Sequence, residues 1–449
     1  MTATRRSFLL ATATAASVPA ATAKPNVIVI VMDDLGVHDL GYLGVKDIKT
    51  PNIDALARSG AWFTNWYSNA PVCAPARSSI LTGRFPAKAG VSNNGKELAK
   101  EAKTIAEMLK PAGYRTAAIG KWHLGSSADS CPNARGFDYF YGFHSGCVDF
   151  FSHRYYWGEP KTPNYHDLWR NREEIFEDGQ YLTERITEES IAFFNQNKSQ
   201  PFFTYIAYNA PHYPMHAPDK YVKRFASLPL ERRIYAAMIS AVDDGIGGLR
   251  KALERNGQLD NTLIFLLGDN GATVEKRAGL NQNFATAGDN GVFKGFKFSL
   301  FDGGHHVPAC VSWPARIPKA GAVKELAMSM DILPTICNAT GADLPAAVDG
   351  SNILPVLTAS AKSPHDALYW FQGGQLAIRR DKWKLVLNGR LYDRRAEGGQ
   401  PLKGEDAIWL SDLEADPGET RNLRRQHPTV VDELQTLAEK WRSTLPNPE

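Results

Sequence analysis

The apolar residues of this chain are concentrated in short unbroken runs, and the segments between the runs have a helical period. The runs lie at 25–32, 116–119, 202–208 and 262–267. Continuous apolar runs of this kind are typical of strands that are covered on both faces of a parallel sheet. Helical spacing marks 52–59, 78–82, 104–110, 183–196 and 233–256. Alternating strands and helices predict an α/β fold with a large, mostly parallel central sheet flanked by helices.

The pattern changes after residue 345. Short strands are predicted at 377–380, 382–387 and 408–412, followed by an amphipathic helix at 429–443. We therefore predict a main domain at 24–345 and a C-terminal subdomain at 346–449 with a small antiparallel sheet and one helix. Residues 126–178 are rich in aromatic residues, glycine and proline and lack periodicity, which predicts a long excursion over the rim of a site.

Polar residues follow each of the four predicted strands directly. They are Asp33 and Asp34 after the first, Lys121 and His123 after the second, His212 after the third, and Asp269 and Asn270 after the fourth. Ligands bind at the carboxyl ends of strands in open α/β sheets. If these strands are parallel, the polar side chains meet at one edge and form a single site.

Asp33, Asp34, Asp269 and Asn270 make an oxygen-only ligand set. Such a set suits a hard divalent cation, and we predict Ca²⁺ in preference to Mg²⁺. Crowded carboxylates without a cation would repel one another, although Asp33 and Asp34 alone are also compatible with a turn or a helix cap. A second Gly-Asp-Asn-Gly at 288–291 follows no apolar strand, so we predict a turn there.

The segment 70–84 surrounds Cys73. Pro71 and Pro75 disfavour the helical conformation before them, and apolar helical spacing begins only after Arg77. These features predict a loop that enters a helix, with Cys73 near the helix N-terminus, where backbone N–H groups favour an anion. Cys73 is then a candidate nucleophile beside the cationic Arg77. The alternative is a cysteine that is merely buried in a loop.

The N-terminus resembles an export signal. Arg5 and Arg6 precede an apolar stretch at 8–18 that is too short to span a bilayer, and small residues at 21–23 provide a cleavage site. We predict a signal peptide at 1–23, of either the twin-arginine or the ordinary secretory type. The mature protein is then periplasmic or secreted, without stable membrane insertion.

Charge and cysteine content narrow the function classes. A net charge of +3 over 449 residues, with no dense basic run, gives no indication of nucleic-acid binding.

Beyond Cys73 the cysteines are Cys131, Cys147, Cys310 and Cys337. Cys131 and Cys147 are candidates for a disulfide, but four cysteines allow three connectivities. No Cys or His spacing typical of a zinc site is present.

The string Cys-x-Pro-x-Arg, followed by Ser-Ser-x-Leu-Thr-Gly-Arg at 78–84, closely resembles the signature of the type I, formylglycine-dependent sulfatases, which belong to the alkaline phosphatase superfamily. Further segments that resemble this arylsulfatase-like family lie at 33–36, 120–125, 210–212, 269–271 and 297–308. The last segment departs from the family pattern, because Asp302 replaces glutamate and His306 replaces arginine.

The resemblance implies a mechanism. Cys73 is oxidised to formylglycine by a formylglycine-generating enzyme, and the modified residue joins Asp33, Asp34, Asp269 and Asn270 around the metal. Lys121, His212 and Lys297 hold the sulfate, and His212 or Lys297 protonates the leaving alcohol. His123 deprotonates the second hydroxyl of the formylglycine hydrate to expel sulfate. Arg77 orients the formylglycine.

A sulfated carbohydrate or smaller sulfate ester is the implied substrate. The aromatic segment 144–157, with His153 and Arg154, is the predicted rim that binds the leaving group. Two alternatives remain at this stage. One is a phosphonate or phosphodiester hydrolase of the same superfamily, and the other is a non-catalytic sulfated-glycan binding protein in which Cys73 stays a thiol.

Overall fold

The computed structural model describes residues 23–156, 164–318 and 321–446. The predicted signal peptide, apart from Ala23, and Trp157 of the predicted rim lie outside the described residues. Within the described ranges, no helix combines the length and the apolar character that crossing a membrane requires.

The described residues form eighteen strands. They are β1 (Asn26–Met32), β2 (Ala61–Phe63), β3 (Trp66–Tyr67), β4 (Arg115–Lys121), β5 (Tyr139–Phe143), β6 (Trp169–Arg170), β7 (Glu173–Glu174), β8 (Phe202–Tyr208), β9 (Thr262–Gly268), β10 (Ala309–Ser312), β11 (Gly321–Val323), β12 (Ala327–Met328), β13 (Leu368–Gln372), β14 (Gln375–Arg380), β15 (Trp383–Leu387), β16 (Arg390–Leu391), β17 (Gln400–Pro401) and β18 (Ile408–Asp412).

Ten of these strands form the main sheet, in the order β11-β2-β10-β9-β1-β8-β4-β5-β6-β7. The central strands β9, β1, β8, β4 and β5 are mutually parallel. Antiparallel pairing occurs where β10 joins β9 and β2, and where β6 and β7 extend the other edge. The predicted α/β fold with a mostly parallel central sheet is confirmed.

Helices cover both faces of the main sheet, which explains the unbroken apolar runs. Ile28 and Ile30 of β1 belong to one core, and Val27 and Val29 belong to the other. Side chains of a strand alternate between faces, so a strand with two buried faces needs apolar residues throughout. The helices are α1 (Pro51–Arg58), α2 (Cys73–Thr82), α3 (Ile105–Leu109), α4 (Leu182–Gln196), α5 (Asp219–Val222), α6 (Leu230–Arg255), α7 (Asp302–His305), α8 (Ile332–Thr340), α9 (Leu354–Ala359) and α10 (Pro428–Arg442).

The C-terminal part forms a separate antiparallel sheet, β13-β14-β15-β18, with α10 on one face. The other face packs on the main domain, where Trp370 and Val386 join a core with Tyr67 and Phe301. The predicted small sheet and closing helix are therefore confirmed. Helix α9 packs in the core of the main sheet, so the separate sheet begins only at β13.

Helix α2 begins earlier than predicted. Val72 has an extended backbone, with φ −154° and ψ 146°, and the helix starts at Cys73 rather than after Arg77. Pro75 lies in the first turn, where the missing N–H group would have had no partner inside the helix. Cys73 is consequently the first residue of the helix.

Residues 126–178 contain a strand that the sequence pattern does not predict. Strand β5 pairs in parallel with β4, from Ala117 opposite Tyr139 to Lys121 opposite Phe143. Its aromatic and glycine residues lack the β-branched pattern that marked the other central strands. Cys131 and Cys147, the candidates for a disulfide, do not pair, because all five cysteines of the chain are free and buried.

The start of α1 depends on a carboxylate from another helix. Asp243 of α6 accepts hydrogen bonds from the backbone N–H groups of Asn52 at 3.0 Å and Ile53 at 2.8 Å. The preceding residue, Thr50, gives α1 no side-chain cap. Asp243 therefore links α1 to α6.

We predict that Asp243→Ala lowers the free energy of unfolding by about 2 kcal/mol, because the backbone N–H of Asn52 and the buried N–H of Ile53 lose their acceptor. Urea denaturation followed by circular dichroism measures the change. The control is Asp244→Ala, which removes only a surface pair with Arg224 and should cost less than about 1 kcal/mol. Equal losses in the two variants would contradict this role for Asp243.

Candidate active site

The carboxylates at the ends of β1 and β9 lie side by side because the parallel hydrogen-bond ladder continues past both strands. The N–H of Asp269 donates to the carbonyl of Met32 at 3.1 Å, and that of Asp33 donates to Ala210 at 3.2 Å. The N–H of Asp34 donates to Oδ1 of Asp269 at 3.1 Å. All three carboxylates are buried.

Arg77 joins two of these carboxylates. It lies one turn along α2 from Cys73, and its Nη2 is 2.8 Å from Oδ2 of Asp269 and 3.4 Å from Oδ1 of Asp33. Burial alone would lower the pKa of Arg77, but Asp269, Tyr205 and Asp33 raise it above its ordinary value. A fully buried guanidinium of this kind fixes the spacing of the acids around it.

Two lysines complete the charge balance. Nζ of Lys121, at the end of β4, is 2.6 Å from Oδ2 of Asp33. Nζ of Lys297 is 2.9 Å from Oδ1 of Asp34. Unlike Lys121, Lys297 lies in a loop, and its backbone N–H donates to the carbonyl of Ala272 at 2.9 Å. Burial alone would lower the pKa of each lysine, but Asp33 and Asp34 respectively raise it.

The three cations do not compensate the three carboxylates equally. Although burial opposes ionisation, Lys121 and Arg77 hold the pKa of Asp33 well below its ordinary value. Burial raises the pKa of Asp34, and burial together with Asp33 raises that of Asp269 to about 7. An additional cation would therefore stabilise the ionised forms of Asp34 and Asp269.

The donor atoms of the cluster fit a hard divalent cation. Oδ1 of Asp33 and Oδ1 of Asn270 are buried and accept no hydrogen bond. Asp33, Asp34, Cys73 and His212 each offer a ligand atom, and these atoms lie within 4.8 Å of one another. Carboxylate and amide oxygens are the ligands that Ca²⁺ prefers.

The thiol of Cys73 lies within this cluster, 3.8 Å from Oδ1 of Asp34. Burial raises the pKa of the thiol well above its ordinary value, even though Lys121 and Lys297 act in the opposite direction. Although Cys73 lies at the start of α2, the backbone N–H groups there do not offset the effect of burial on the pKa of the thiol. Burial thus favours the neutral form of the unmodified thiol, and the role of Cys73 as a nucleophile stays a prediction.

Two histidines flank the cluster. Nδ1 of His212 is 2.7 Å from the carbonyl oxygen of Tyr213, so Nδ1 carries the proton of the imidazole. Nε2 is therefore the acceptor nitrogen, and it lies 3.5 Å from Nζ of Lys297. Nδ1 of His123 is buried without a hydrogen-bond partner. Burial lowers the pKa of both imidazoles well below the ordinary value. Both histidines are neutral and therefore able to accept a proton.

His153 and Arg154 are not brought to this cluster. His153 is buried, and its Nε2 is 3.0 Å from the carbonyl of Gln180. Arg154 is exposed and donates to the carbonyl of Asn164 at 3.4 Å. Neither residue lines the cleft described next, because the loop folds His153 inward and turns Arg154 to the surface.

A cleft of about 740 Å³ has Lys297 in its lining. Its walls come from the loop that follows β9 and from the loop between β16 and β17 of the C-terminal part. Of the described residues in the predicted rim, only Tyr156 contributes. The aromatic lining residues are Tyr156, Phe284, Phe298 and Tyr392, and the charged ones are Glu275, Lys276, Arg277, Lys297 and Glu397.

Several residues near the cluster were not predicted. The hydroxyl of Tyr205 is 3.5 Å from Nη1 of Arg77, and Oε2 of Glu275 is 3.7 Å from Nζ of Lys297. Tyr205 could have been singled out from the sequence, because its hydroxyl group stands within the mostly apolar run of β8. For Glu275 and the cleft wall, the signal was the polar loop directly after Asn270, at the carboxyl edge of the sheet.

Two family models match the chain. The Sulfatase model covers residues 25–342. The chain belongs to the sulfatase family. A second model, described as N-sulphoglucosamine sulphohydrolase, C-terminal, covers residues 288–444 of the sulfatase. The family assignment and the predicted alkaline phosphatase superfamily are confirmed.

Known proteins resemble this sulfatase over most of its length. Arylsulfatase J of Mus musculus is 30% identical, covering 95% of this chain and 77% of the relative. The arylsulfatase of Hemicentrotus pulcherrimus is also 30% identical, covering 94% and 82%. The solved structure of Ps i-CgsB in complex with k-i-k-neocarrahexaose is 32% identical with a TM-score of 0.81, covering 93% of this chain and 92% of that chain.

The phosphonate monoester hydrolase of Agrobacterium radiobacter shares the fold alone, at 21% identity and a TM-score of 0.64, covering 94% of this chain and 95% of that one. The family and the arylsulfatase relatives together establish an enzyme that hydrolyses sulfate esters. The alternative of a non-catalytic glycan-binding protein is therefore wrong.

Proposed function

We propose that this sulfatase removes sulfate from a sulfated carbohydrate with a formylglycine derived from Cys73, in the presence of a bound Ca²⁺. One observation carries the proposal. The sulfur of Cys73 lies 3.8 Å from Asp34, inside a buried cluster that also contains Lys121, Lys297 and Arg77. A nucleophile there would meet an anionic sulfate among fixed positive groups, the arrangement that stabilises charge in a transition state.

The raised pKa of Cys73 supports conversion of this residue. A neutral buried thiol is a poor nucleophile, so the cysteine needs a chemical change before it can attack sulfur. A formylglycine-generating enzyme would make that change, and the hydrated aldehyde would supply a hydroxyl nucleophile. Arg77, one turn along the same helix, would hold the modified residue in place.

Asp33, Asp34, Asp269 and Asn270, with the modified residue 73, would hold the Ca²⁺. A divalent cation held there would supply a positive charge that polarises an oxygen nucleophile. Because the carboxylates are then neutralised, the ammonium groups of Lys121 and Lys297 are available to the sulfate oxygens, together with His212.

The proton transfers are assigned to two side chains. Lys297 is charged and 3.5 Å from the acceptor nitrogen of neutral His212, which supports Lys297 as the donor to the leaving alcohol. Neutral His123, with its partnerless Nδ1, is the base that takes the proton of the second hydroxyl when sulfate is expelled.

A carbohydrate suits the cleft beside Lys297. Aromatic rings present flat apolar surfaces to sugar faces, while Glu275, Lys276 and Arg277 offer polar contacts to hydroxyl or anionic groups. The related structure with neocarrahexaose supports an oligosaccharide. We retain the export signal at 1–23, the catalytic domain at 24–345 and the subdomain at 346–449 as parts of this proposal.

Conversion of Cys73 is tested by mass spectrometry of the peptide that contains it, after co-expression with a formylglycine-generating enzyme. We expect a mass that corresponds to replacement of sulfur by oxygen with loss of two hydrogens.

Cys73→Ser should reduce sulfate release by about a thousandfold or more, because the nucleophile is lost. Cys131→Ser removes a distant thiol and should retain activity. Unmodified Cys73 in a fully active enzyme, or faster hydrolysis of an aryl phosphate diester than of an aryl sulfate, would reject the proposal.

Calcium should stabilise the folded enzyme. At a concentration a hundred times Kd, a ligand adds about 2.7 kcal/mol to the stability, and we expect the melting temperature to rise with Ca²⁺, to rise less with Mg²⁺ and to fall with EDTA. Asp269→Asn should abolish this response. Asp289→Asn is the matched control, because Asp289 occupies the second Gly-Asp-Asn-Gly and pairs with His38. An unchanged calcium response in Asp269→Asn would contradict the ligand assignment.

The cleft wall should determine affinity for the carbohydrate. Tyr392→Ala removes an aromatic ring and should raise KM for a sulfated oligosaccharide by about three- to tenfold, with little change for a small aryl sulfate. Arg154→Ala tests the rim predicted from sequence and should change neither value. The reverse outcome would place the leaving-group site on the 144–157 segment instead.

A further inference from the structure

The chain segment that carries Lys297 is held by the C-terminal sheet. The carbonyl of Phe298 and the N–H of Leu300 both bond to the side chain of Gln375, at the start of β14. The hydroxyl of Ser299 donates to the carbonyl of Arg390 at 2.9 Å. Three successive residues after Lys297 thus depend on groups from the C-terminal part.

The position of Gln375 is set by a tight hairpin. Strands β13 and β14 pair from Leu368 opposite Arg379 to Gln372 opposite Gln375, and Gly373 and Gly374 form the two-residue turn. Both glycines have positive φ, 56° and 82°, as a turn of this type requires. The side chain of Gln375 is buried.

The amide of Gln375 uses both of its functions on backbone groups. Its Nε2 donates to the carbonyl of Phe298 at 2.9 Å, and its Oε1 accepts from the N–H of Arg390 at 2.8 Å and of Leu300 at 3.4 Å. A carboxylate of the same shape would keep the acceptor and lose the donor.

Phe298 needs this support because its backbone is strained. Its φ is 74°, in the left-handed region that non-glycine residues rarely adopt. The strained residue is fixed on both sides, since its N–H donates to Pro71 at 2.7 Å and its carbonyl accepts from Gln375. Pro71 lies two residues before Cys73, so this turn joins the Lys297 segment to the nucleophile segment.

The geometry points to Gln375 as a positioning residue for catalysis. By holding Phe298 in its left-handed turn, Gln375 fixes the backbone from which Lys297 reaches the carboxylate cluster. The inference rests on the proposed role of Lys297 in holding sulfate. The C-terminal part of the chain thereby contributes to the chemical step, in addition to lining the cleft through Tyr392.

The test compares Gln375→Leu and Gln375→Glu with Gln372→Leu in the fully converted, calcium-loaded enzyme. Gln372 faces Gln375 across the hairpin, and its Oε1 accepts no hydrogen bond. We expect both Gln375 variants to lower kcat/KM for an aryl sulfate by about tenfold, and Gln372→Leu to leave it unchanged. The Kd for inorganic sulfate, measured by calorimetry, should rise by a similar factor in the Gln375 variants only.

A double-mutant cycle with Lys297→Ala separates positioning from a general structural effect. We expect Gln375→Leu to have no further effect once Lys297 is alanine, because the residue to be positioned is gone. A second cycle uses Phe298→Gly, since glycine adopts positive φ without strain. In that background, Gln375→Leu should cost less than it does with Phe298 present.

The outcomes are distinguishable. If Lys297→Ala leaves kcat/KM unchanged, the proposed role of Lys297 fails. If Lys297→Ala is impaired but Gln375→Leu lowers kcat/KM equally in both backgrounds, Gln375 acts independently of Lys297 and the inference is overturned. Should Gln375→Leu fail to fold, Gln375→Glu decides, because an ionised carboxylate keeps the acceptor for Arg390 and Leu300 and lacks the donor to Phe298. Wild-type kcat/KM and sulfate affinity in that variant would also overturn the inference.

Discussion

The structure depends on the mutual neutralisation of three buried carboxylates and three buried cations. Asp33, Asp34 and Asp269 are buried, and so are Arg77, Lys121 and Lys297. Removing one member of such a cluster leaves an uncompensated charge in a medium of low dielectric constant, which is strongly unfavourable. The parallel sheet satisfies this constraint, because its ladder brings three strand ends to one place while α2 and the Lys297 loop provide the remaining charges.

This balance also suits the chemistry. A divalent cation and an anionic sulfate ester carry opposite charges, so binding both changes the net charge of the cluster little. A site with excess positive charge would bind sulfate without the metal, and a site with excess negative charge would repel the ester. Cys73 remains a neutral thiol within this arrangement, which keeps the unmodified protein free of a further buried charge.

The sequence was informative where structure follows from local pattern. Asp33, Lys121, His212 and Asp269 could be placed together because apolar runs predict parallel strands, and parallel strands share an edge. Lys297 came from the family resemblance alone, since its loop has no periodicity. Strand β5 and the cleft wall depend on pairing and packing between distant segments, which composition does not encode. His153 shows the same limit, because an aromatic loop does not reveal which of its residues turn inward.

The two departures of this chain from the family pattern lie where the C-terminal sheet meets the main domain. Asp302, where the family has glutamate, accepts from the hydroxyl of Tyr67 at 2.7 Å and from Nζ of Lys384, in β15, at 2.5 Å. Although burial opposes ionisation, Lys384 and His306 hold the pKa of Asp302 well below its ordinary value. His306, where the family has arginine, stacks on Tyr67 with ring centroids 4.7 Å apart. Separating the two sheets would take the buried carboxylate of Asp302 away from the ammonium group of Lys384, so this ion pair links the small sheet to the main domain.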